Sequence, residues 1–210
     1  MSYPRNFDTE LSKNLSWLLR HGAVKEGLPI ASNGFIPLDA VLSHRSLSNR
    51  YTAEEIMRIV EADSKNRYTV MTCPSTKKLL IKANQGHSIA EVSELNLTKI
   101  RHASECPIVV HGTFYKNLPA IKRLGLKRMN RNHIHFSASD KLKPGTVRVS
   151  GIRHNCEVLI YLNTELALSK NIPLYRSENN VILSPGLNGS ISTEFFDKVV
   201  DRKTGEVIPF

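Results

Sequence analysis

The chain has 210 residues, 40% of them hydrophobic, enough for one large core or two small ones. Its 29 Lys and Arg outweigh 19 Asp and Glu, and the resulting net charge of +10 favours a polyanionic partner through counterion release. The sequence has no apolar run long enough for a transmembrane helix, and Met1-Ser2-Tyr3-Pro4-Arg5-Asn6 lacks the apolar stretch of a signal peptide. Cys73, Cys106 and Cys156 are odd in number and widely spaced, which argues against a disulfide framework or a zinc site. A reduced intracellular setting, cytoplasm or nucleus, is expected.

In chain order, Leu11, Leu15, Leu18 and Leu19 recur at helical spacing and predict a helix from Thr9 to His21, with Gly22 as its stop. Gly27-Leu28-Pro29 and Ser32-Asn33-Gly34 are turn chemistry. Pro37 opens a short helix through Val41 and Leu42. Thr52-Ala53-Glu54-Glu55 reads as a capping box ahead of Ile56, Ile59 and Val60. Strands are expected at Tyr68 to Thr72 and Leu79 to Lys82, separated by a Pro-Ser-Thr-Lys-Lys turn. Three helices and a hairpin are the element order of a winged helix, which agrees with the basic charge.

Gln85 to Pro107 shows little periodicity and is expected to connect two lobes. Beyond it come a strand at Ile108 to Val110 running into His111-Gly112-Thr113, a helix from Leu118 to Leu124, and strands at His133 to Ser137, Val158 to Leu162 and Val181 to Ser184. Phe195, Phe196, Val199 and Val200 belong to a last strand or short helix. The expected class is α+β, with an N-terminal lobe over 1–100 and a mostly β lobe over 105–210.

The residues able to do chemistry are scattered. Arg20 and His21 end the first helix, where cations answer the helix dipole, but the same pair offers a planar fork for phosphate and a proton donor. Arg67 and Arg131 each precede a strand and by default are solvated surface arginines. In His111-Gly112-Thr113, the glycine lets a ligand approach the backbone and its neighbours supply donors. In His133-Ile134-His135-Phe136-Ser137 the histidines alternate with apolar residues. A metal held by His111, His133 and His135 is disfavoured, because no Asp, Glu or Cys completes the set. Neither a Walker loop nor a dinucleotide-binding glycine fingerprint is present.

Over nearly its full length the chain resembles the RNA 2′-phosphotransferase family, NAD-dependent enzymes of tRNA splicing. In the first half the resemblance rests on Leu11-Ser12-Lys13-Asn14-Leu15-Ser16-Trp17-Leu18-Leu19-Arg20-His21, Ser32-Asn33-Gly34-Phe35, Asp63-Ser64-Lys65-Asn66-Arg67-Tyr68 and Gln85-Gly86-His87-Ser88. In the second half it rests on His111-Gly112-Thr113, Arg131-Asn132-His133-Ile134-His135-Phe136-Ser137, Ser150-Gly151-Ile152-Arg153 and Arg176-Ser177-Glu178-Asn179-Asn180-Val181-Ile182-Leu183. It implies a winged-helix RNA lobe and an ADP-ribosyltransferase-like NAD lobe. It implies a catalytic tetrad of Arg20, His21, Arg67 and Arg131. It implies an NAD site lined by His111, Gly112, Thr113, His135 and Ser137, with Arg153 at the pyrophosphate and Val181 where related lobes often carry an acid. The chain departs from the family pattern at Gly22-Ala23 and at Asn163, where Asp is common.

The implied reaction moves the 2′-phosphate of ligated tRNA, or another 2′-phosphorylated RNA, to NAD, without a metal. It yields nicotinamide, 2′-hydroxyl RNA and ADP-ribose 1″,2″-cyclic phosphate. The expected form is a monomer with no membrane partner. Two other readings stay open: a plain ADP-ribosyltransferase that modifies a nucleic-acid end or a protein, and a non-catalytic RNA-binding module.

Overall fold

The computed structural model describes residues 5–139, 150–153 and 155–210, with the side chains of Arg5 and Asn6 left aside. The first four residues, read above for a leader, lie outside that range. The chain forms two compact units, residues 1–96 and 97–210, each with its own core. Helices and sheets mix in both, as the α+β expectation requires.

In the first unit, α1 spans Arg5–Trp17, starting earlier than the leucine pattern suggests. It runs into one π-helical turn, Leu18–Gly22, closed by Ala23 N–H donating to the Leu18 carbonyl at 2.9 Å. Leu11, Leu15, Leu18 and Leu19 are fully buried. The turn thus widens the helix where Arg20 and His21 sit, while the leucine stripe stays in the core. α2 (Leu38–Ser43) follows β1 (Ile36–Pro37). α3 (Ala53–Glu61) begins at the expected capping box: Thr52 Oγ1 accepts from Glu55 N–H, and Glu55 accepts from Thr52 N–H. β2 (Tyr68–Thr72) and β3 (Leu79–Ala83) form the hairpin, and β1 adds to it in the antiparallel order β1-β3-β2.

The segment expected to be a connector is divided. Ile89 and Val92 are buried in the first core, and Glu94 N–H donates to the Ser32 carbonyl. Leu97–Lys99 is a strand, β4, paired with β9 at the edge of the second unit's sheet. Its three residues are too few to show alternation, so only the partner strand reveals them.

The second unit holds an antiparallel seven-stranded sheet in the order β12-β8-β5-β7-β10-β9-β4. Its strands are β5 (Val110–Thr113), β7 (Ile134–Ser137), β8 (Val158–Leu162), β9 (Tyr175–Ser177), β10 (Val181–Ser184) and β12 (Phe196–Asp201). The Phe195 to Val200 segment is therefore mainly strand. α4 is Leu118–Leu124, and a small ribbon pairs β6 (Leu126–Lys127) with β11 (Ser190–Ile191). α5 (Thr164–Ser169) has Asn163 as its N-cap, with Oδ1 accepting from Leu166 N–H at 3.0 Å. Asn caps as well as Asp, which accounts for the departure at this position. Ile134, Phe136, Val158, Ile160 and Ile182 fill one face of the sheet, and Val110, Ile152, Cys156 and Leu159 the other. Among the described residues no helix is long and apolar enough to cross a membrane.

Candidate functional site

Three of the expected phosphate-binding residues lie in the first unit, and one short segment ties them together. At its start, Asn84 N–H donates to the Arg67 carbonyl at 2.8 Å, while the Asn84 amide donates to the Asn66 carbonyl and accepts from Thr69 Oγ1. At its end, Ser88 N–H donates to the Arg20 carbonyl at 2.9 Å, and Ser88 Oγ is hydrogen-bonded to His21 Nδ1 at 2.9 Å. Between them Gly86 has φ +92° and lies against the Arg20 side chain, a Cβ there reaching 3.4 Å from Arg20 Cδ. The positive φ suits only glycine, and the missing side chain leaves room for the arginine. Four residue steps span about 14 Å at full extension, so Arg67 and the Arg20-His21 pair are held within one small region.

Arg67 is not a freely solvated arginine. Asp63 accepts hydrogen bonds from its backbone N–H at 2.6 Å and from its guanidinium. The Asp63 side chain is only 6% exposed, so the pair is shielded from water on the carboxylate side. Sequence reasoning passed over Asp63, although its i, i+4 spacing from Arg67 was the available signal. It also gave no role to Asn84 and Ser88, whose backbone and side-chain bonds depend on the fold.

The residues expected to bind the nucleotide lie on three neighbouring central strands of the second unit. His111, Gly112 and Thr113 are on β5, His135 and Ser137 on β7, and Val181 on β10. Ser137 is in register with both Val110 and Val181. Strand alternation then divides the set. His111 and Thr113 share the Phe136 face, where the His111 and Phe136 rings meet edge to face at 5.8 Å. Gly112, His135, Ser137 and Val181 belong to the opposite face.

That opposite face is partly covered by residues 150–153. Gly151, at φ +92°, packs on the β7 backbone, where a Cβ would come 2.5 Å from the Phe136 carbonyl oxygen. Ile152 and Cys156 occupy the space beside Gly112, where a Cβ would be 2.5 Å from Ile152 Cγ2 and 2.8 Å from Cys156 Sγ. Protein packing, rather than ligand approach, accounts for this glycine. Thr113 and Ser137 are buried, with hydroxyl oxygens accepting from Asn117 Nδ2 and Ser139 N–H respectively.

His111 has a defined protonation state. Its Nδ1 is 2.9 Å from the His135 carbonyl oxygen, which only accepts, so Nδ1 carries the proton and Nε2 keeps its lone pair. Burial pushes its pKa down, the bond to the carbonyl opposes that, and Arg153 pushes it down further. The ring is neutral near pH 7.

Arg131 is half-buried, and its guanidinium is held below the usual arginine range by burial and then by the charge of Arg153. Neither arginine has an ion-pair partner among the described residues. Arg128 donates to the Arg131 carbonyl at 2.7 Å. His133 is lowered by burial and by Arg128. Among the described residues no group of three or more His, Cys, Asp or Glu could hold a metal. The three cysteines are free.

Comparison with known proteins shows the family. The sequence model of the RNA 2′-phosphotransferase, Tpt1 / KptA family matches residues 6–186. A tRNA 2′-phosphotransferase 1 of Mus musculus is 41% identical over 204 residues, covering 95% of this chain and 80% of its own. The Homo sapiens tRNA 2′-phosphotransferase 1 is 38% identical over 93% of this chain and 77% of its own. The tRNA 2′-phosphotransferase of Saccharomyces cerevisiae is 38% identical over 92% and 84%. On this evidence the chain belongs to the RNA 2′-phosphotransferase, Tpt1 / KptA family of transferases.

Proposed function

We propose that the chain removes the 2′-phosphate from spliced tRNA, or from another 2′-phosphorylated RNA, by transferring it to NAD. The products are 2′-hydroxyl RNA, nicotinamide and ADP-ribose 1″,2″-cyclic phosphate. Family membership supports the reading. The structural observation that carries it is the gathering of Arg67, Arg20 and His21 by the Asn84–Ser88 segment, through Asn84 N–H to the Arg67 carbonyl, Ser88 N–H to the Arg20 carbonyl and Ser88 Oγ to His21 Nδ1. Two planar guanidinium forks and an imidazole in one small region suit a phosphate dianion.

In this reading the first unit is the winged-helix RNA lobe and the second is the ADP-ribosyltransferase-like NAD lobe. The protein works inside the cell as a monomer. Arg20, Arg67 and Arg131 grip the RNA phosphate with planar, charge-assisted hydrogen bonds. NAD is consumed as a substrate. Neutral His111 offers Nε2 as an acceptor for a hydroxyl of NAD, as the tautomer set by the His135 carbonyl allows. Thr113 lines the same site from the same face of the sheet, whereas Gly112, His135, Ser137 and Val181 belong to the opposite face and stand apart from it; Arg153 meets the pyrophosphate.

The phosphate oxygen first attacks the anomeric carbon of the nicotinamide ribose, and nicotinamide leaves. The ribose 2″-hydroxyl then attacks phosphorus and gives up its proton to solvent, the bond from phosphorus to the RNA 2′-oxygen breaks, and that oxygen takes up a proton. The arginines neutralise charge that grows on the phosphoryl oxygens, the task metal ions perform in many phosphoryl transferases. His21, oriented by Ser88, donates the proton or a hydrogen bond to the departing oxygen. Because the hydroxyl is tethered to its target, the second step runs at high effective molarity.

The test incubates the protein with NAD and an RNA bearing one internal 2′-phosphate, in chelator, and follows nicotinamide and the phosphate by chromatography. Stoichiometric nicotinamide and cyclic phosphate are expected. Nicotinamide without cyclic phosphate would make the chain a plain ADP-ribosyltransferase. RNA binding with neither product would make it a binding module.

A further inference from the structure

Trp17 is the chain's single tryptophan, and it does not join the core. The four leucines around it on the same helix and turn are fully buried, whereas Trp17 is 44% exposed. Its ring is nonetheless held in place. The i→i+5 bond from Ala23 to Leu18 brings Gly22 beside it, and a Cβ on Gly22 would come within 2.7 Å of indole Cη2 and Cζ3. The indole therefore rests on bare backbone that any other residue would block. A large aromatic ring both fixed and left open to solvent offers a flat face to a ligand.

Its neighbours are cationic. Residues three and four apart share a helix surface, which places exposed Lys13 before Trp17 and Arg20 and His21 after it. The nearest acid on the preceding turns, Glu10, is engaged by Arg50 at 2.7 Å. An aromatic ring set among cations is how proteins hold single-stranded nucleic acid, with the cations on phosphates and the ring on a base. Arg20 and His21 lie within one turn of the ring, so a phosphate held by them has its flanking nucleotides within reach of it.

We propose that the Trp17 indole is a stacking platform for a base of the RNA substrate, in a nucleotide adjoining the 2′-phosphate. This rests on the phosphate role given to Arg20 and His21 above. Stacking takes any base, so Trp17 adds affinity with little sequence preference.

Because the protein has one tryptophan, its emission reports on this ring alone. RNA carrying a 2′-phosphate is titrated into the protein, with binding followed independently through the anisotropy of a label on the RNA. Base stacking is expected to quench the emission. RNA made abasic at the nucleotides beside the phosphate should still bind, more weakly, without the quench. Trp17→Ala should weaken RNA binding roughly tenfold, with Trp17→Phe recovering most of it and NAD affinity as the control. Thermal melting checks that the variants fold, and the wild-type titration stands even if Trp17→Ala does not. RNA that binds without quenching, or quenches equally when abasic, overturns the platform. Quenching without any phosphate transfer keeps the platform and sinks the reaction instead.

Discussion

The Asp63 carboxylate holds Arg67 twice, at its backbone N–H (2.6 Å) and at its guanidinium. It also accepts from Lys65 N–H at 3.3 Å, while Asn66 between them adopts φ +44°. One buried carboxylate thus shapes the turn and aims the arginine that follows it. Asp63→Asn leaves one oxygen where the Lys65 and Arg67 N–H groups use two, and it loses the charge pairing. It should destabilise the protein by about 1–2 kcal/mol in thermal unfolding. Phosphate transfer should fall at least tenfold, by roughly the 1.4 kcal/mol that corresponds to one misdirected contact. Adding Arg67→Ala to Asp63→Asn should cost little beyond Arg67→Ala alone, because both act through one guanidinium. Full additivity in single-turnover rates would show that Asp63 does not work through Arg67.

Burial first, and then the charge of Arg153, hold the Arg131 guanidinium below the usual arginine range. Arg131→Ala should therefore separate stability from activity. The melting temperature should hold or rise, whereas transfer should drop about a hundredfold as a charge-assisted contact to the phosphate is lost. The second chemical step builds more charge on phosphorus than the first, so ADP-ribosylated RNA should accumulate on gels of Arg20→Ala, Arg67→Ala and Arg131→Ala. Absence of that intermediate in all three variants would contradict the assignment. Arg→Lys should rescue only in part, since an ammonium lacks the planar fork.

His111 and His133 are both held below the ordinary histidine value of 6.5, each by burial first and then by a neighbouring arginine. In the unfolded chain these rings take up protons as pH falls through that value, while in the folded chain they resist. The unfolded state then binds more protons, so stability is full above about pH 6.5 and declines below it. Urea midpoints should fall between pH 7.5 and pH 5.5, and His111→Gln should flatten that dependence. A His111 imidazole that titrates by NMR at or above 6.5 would remove the basis for this expectation.

Gly112→Ala places a methyl group against Ile152 Cγ2 and Cys156 Sγ, both in a buried cluster. Overpacking of this kind costs about 1–3 kcal/mol. Ile152→Ala alone opens a cavity and costs about 2–5 kcal/mol. Together they should cost less than their sum, because the new methyl group occupies space the isoleucine vacates. Denaturant midpoints of the four proteins settle it, and strict additivity would mean that the two side chains do not compete.

The features legible along the chain are those that depend on near neighbours. Leucine spacing foretold α1, the Thr52–Glu55 pair foretold the start of α3, and short β-branched runs foretold β2, β3, β7, β8 and β10. Residue types singled out Arg20 and His21 as able to hold phosphate, whereas Arg67 and Arg131 joined them only through the family resemblance. Other features came only from contacts between residues far apart in the chain. β4 exists because β9 pairs with it, and β5 lies between β7 and β8 in an order no local pattern encodes. Gly112 serves Ile152 and Cys156, His111 owes its tautomer to the His135 carbonyl, and Asn84 and Ser88 gather Arg67, Arg20 and His21. The division follows from the forces involved. Helical periodicity, caps and turns act over about four residues and leave their mark on the sequence, whereas strand pairing, burial and proton placement depend on which distant groups the fold brings into contact.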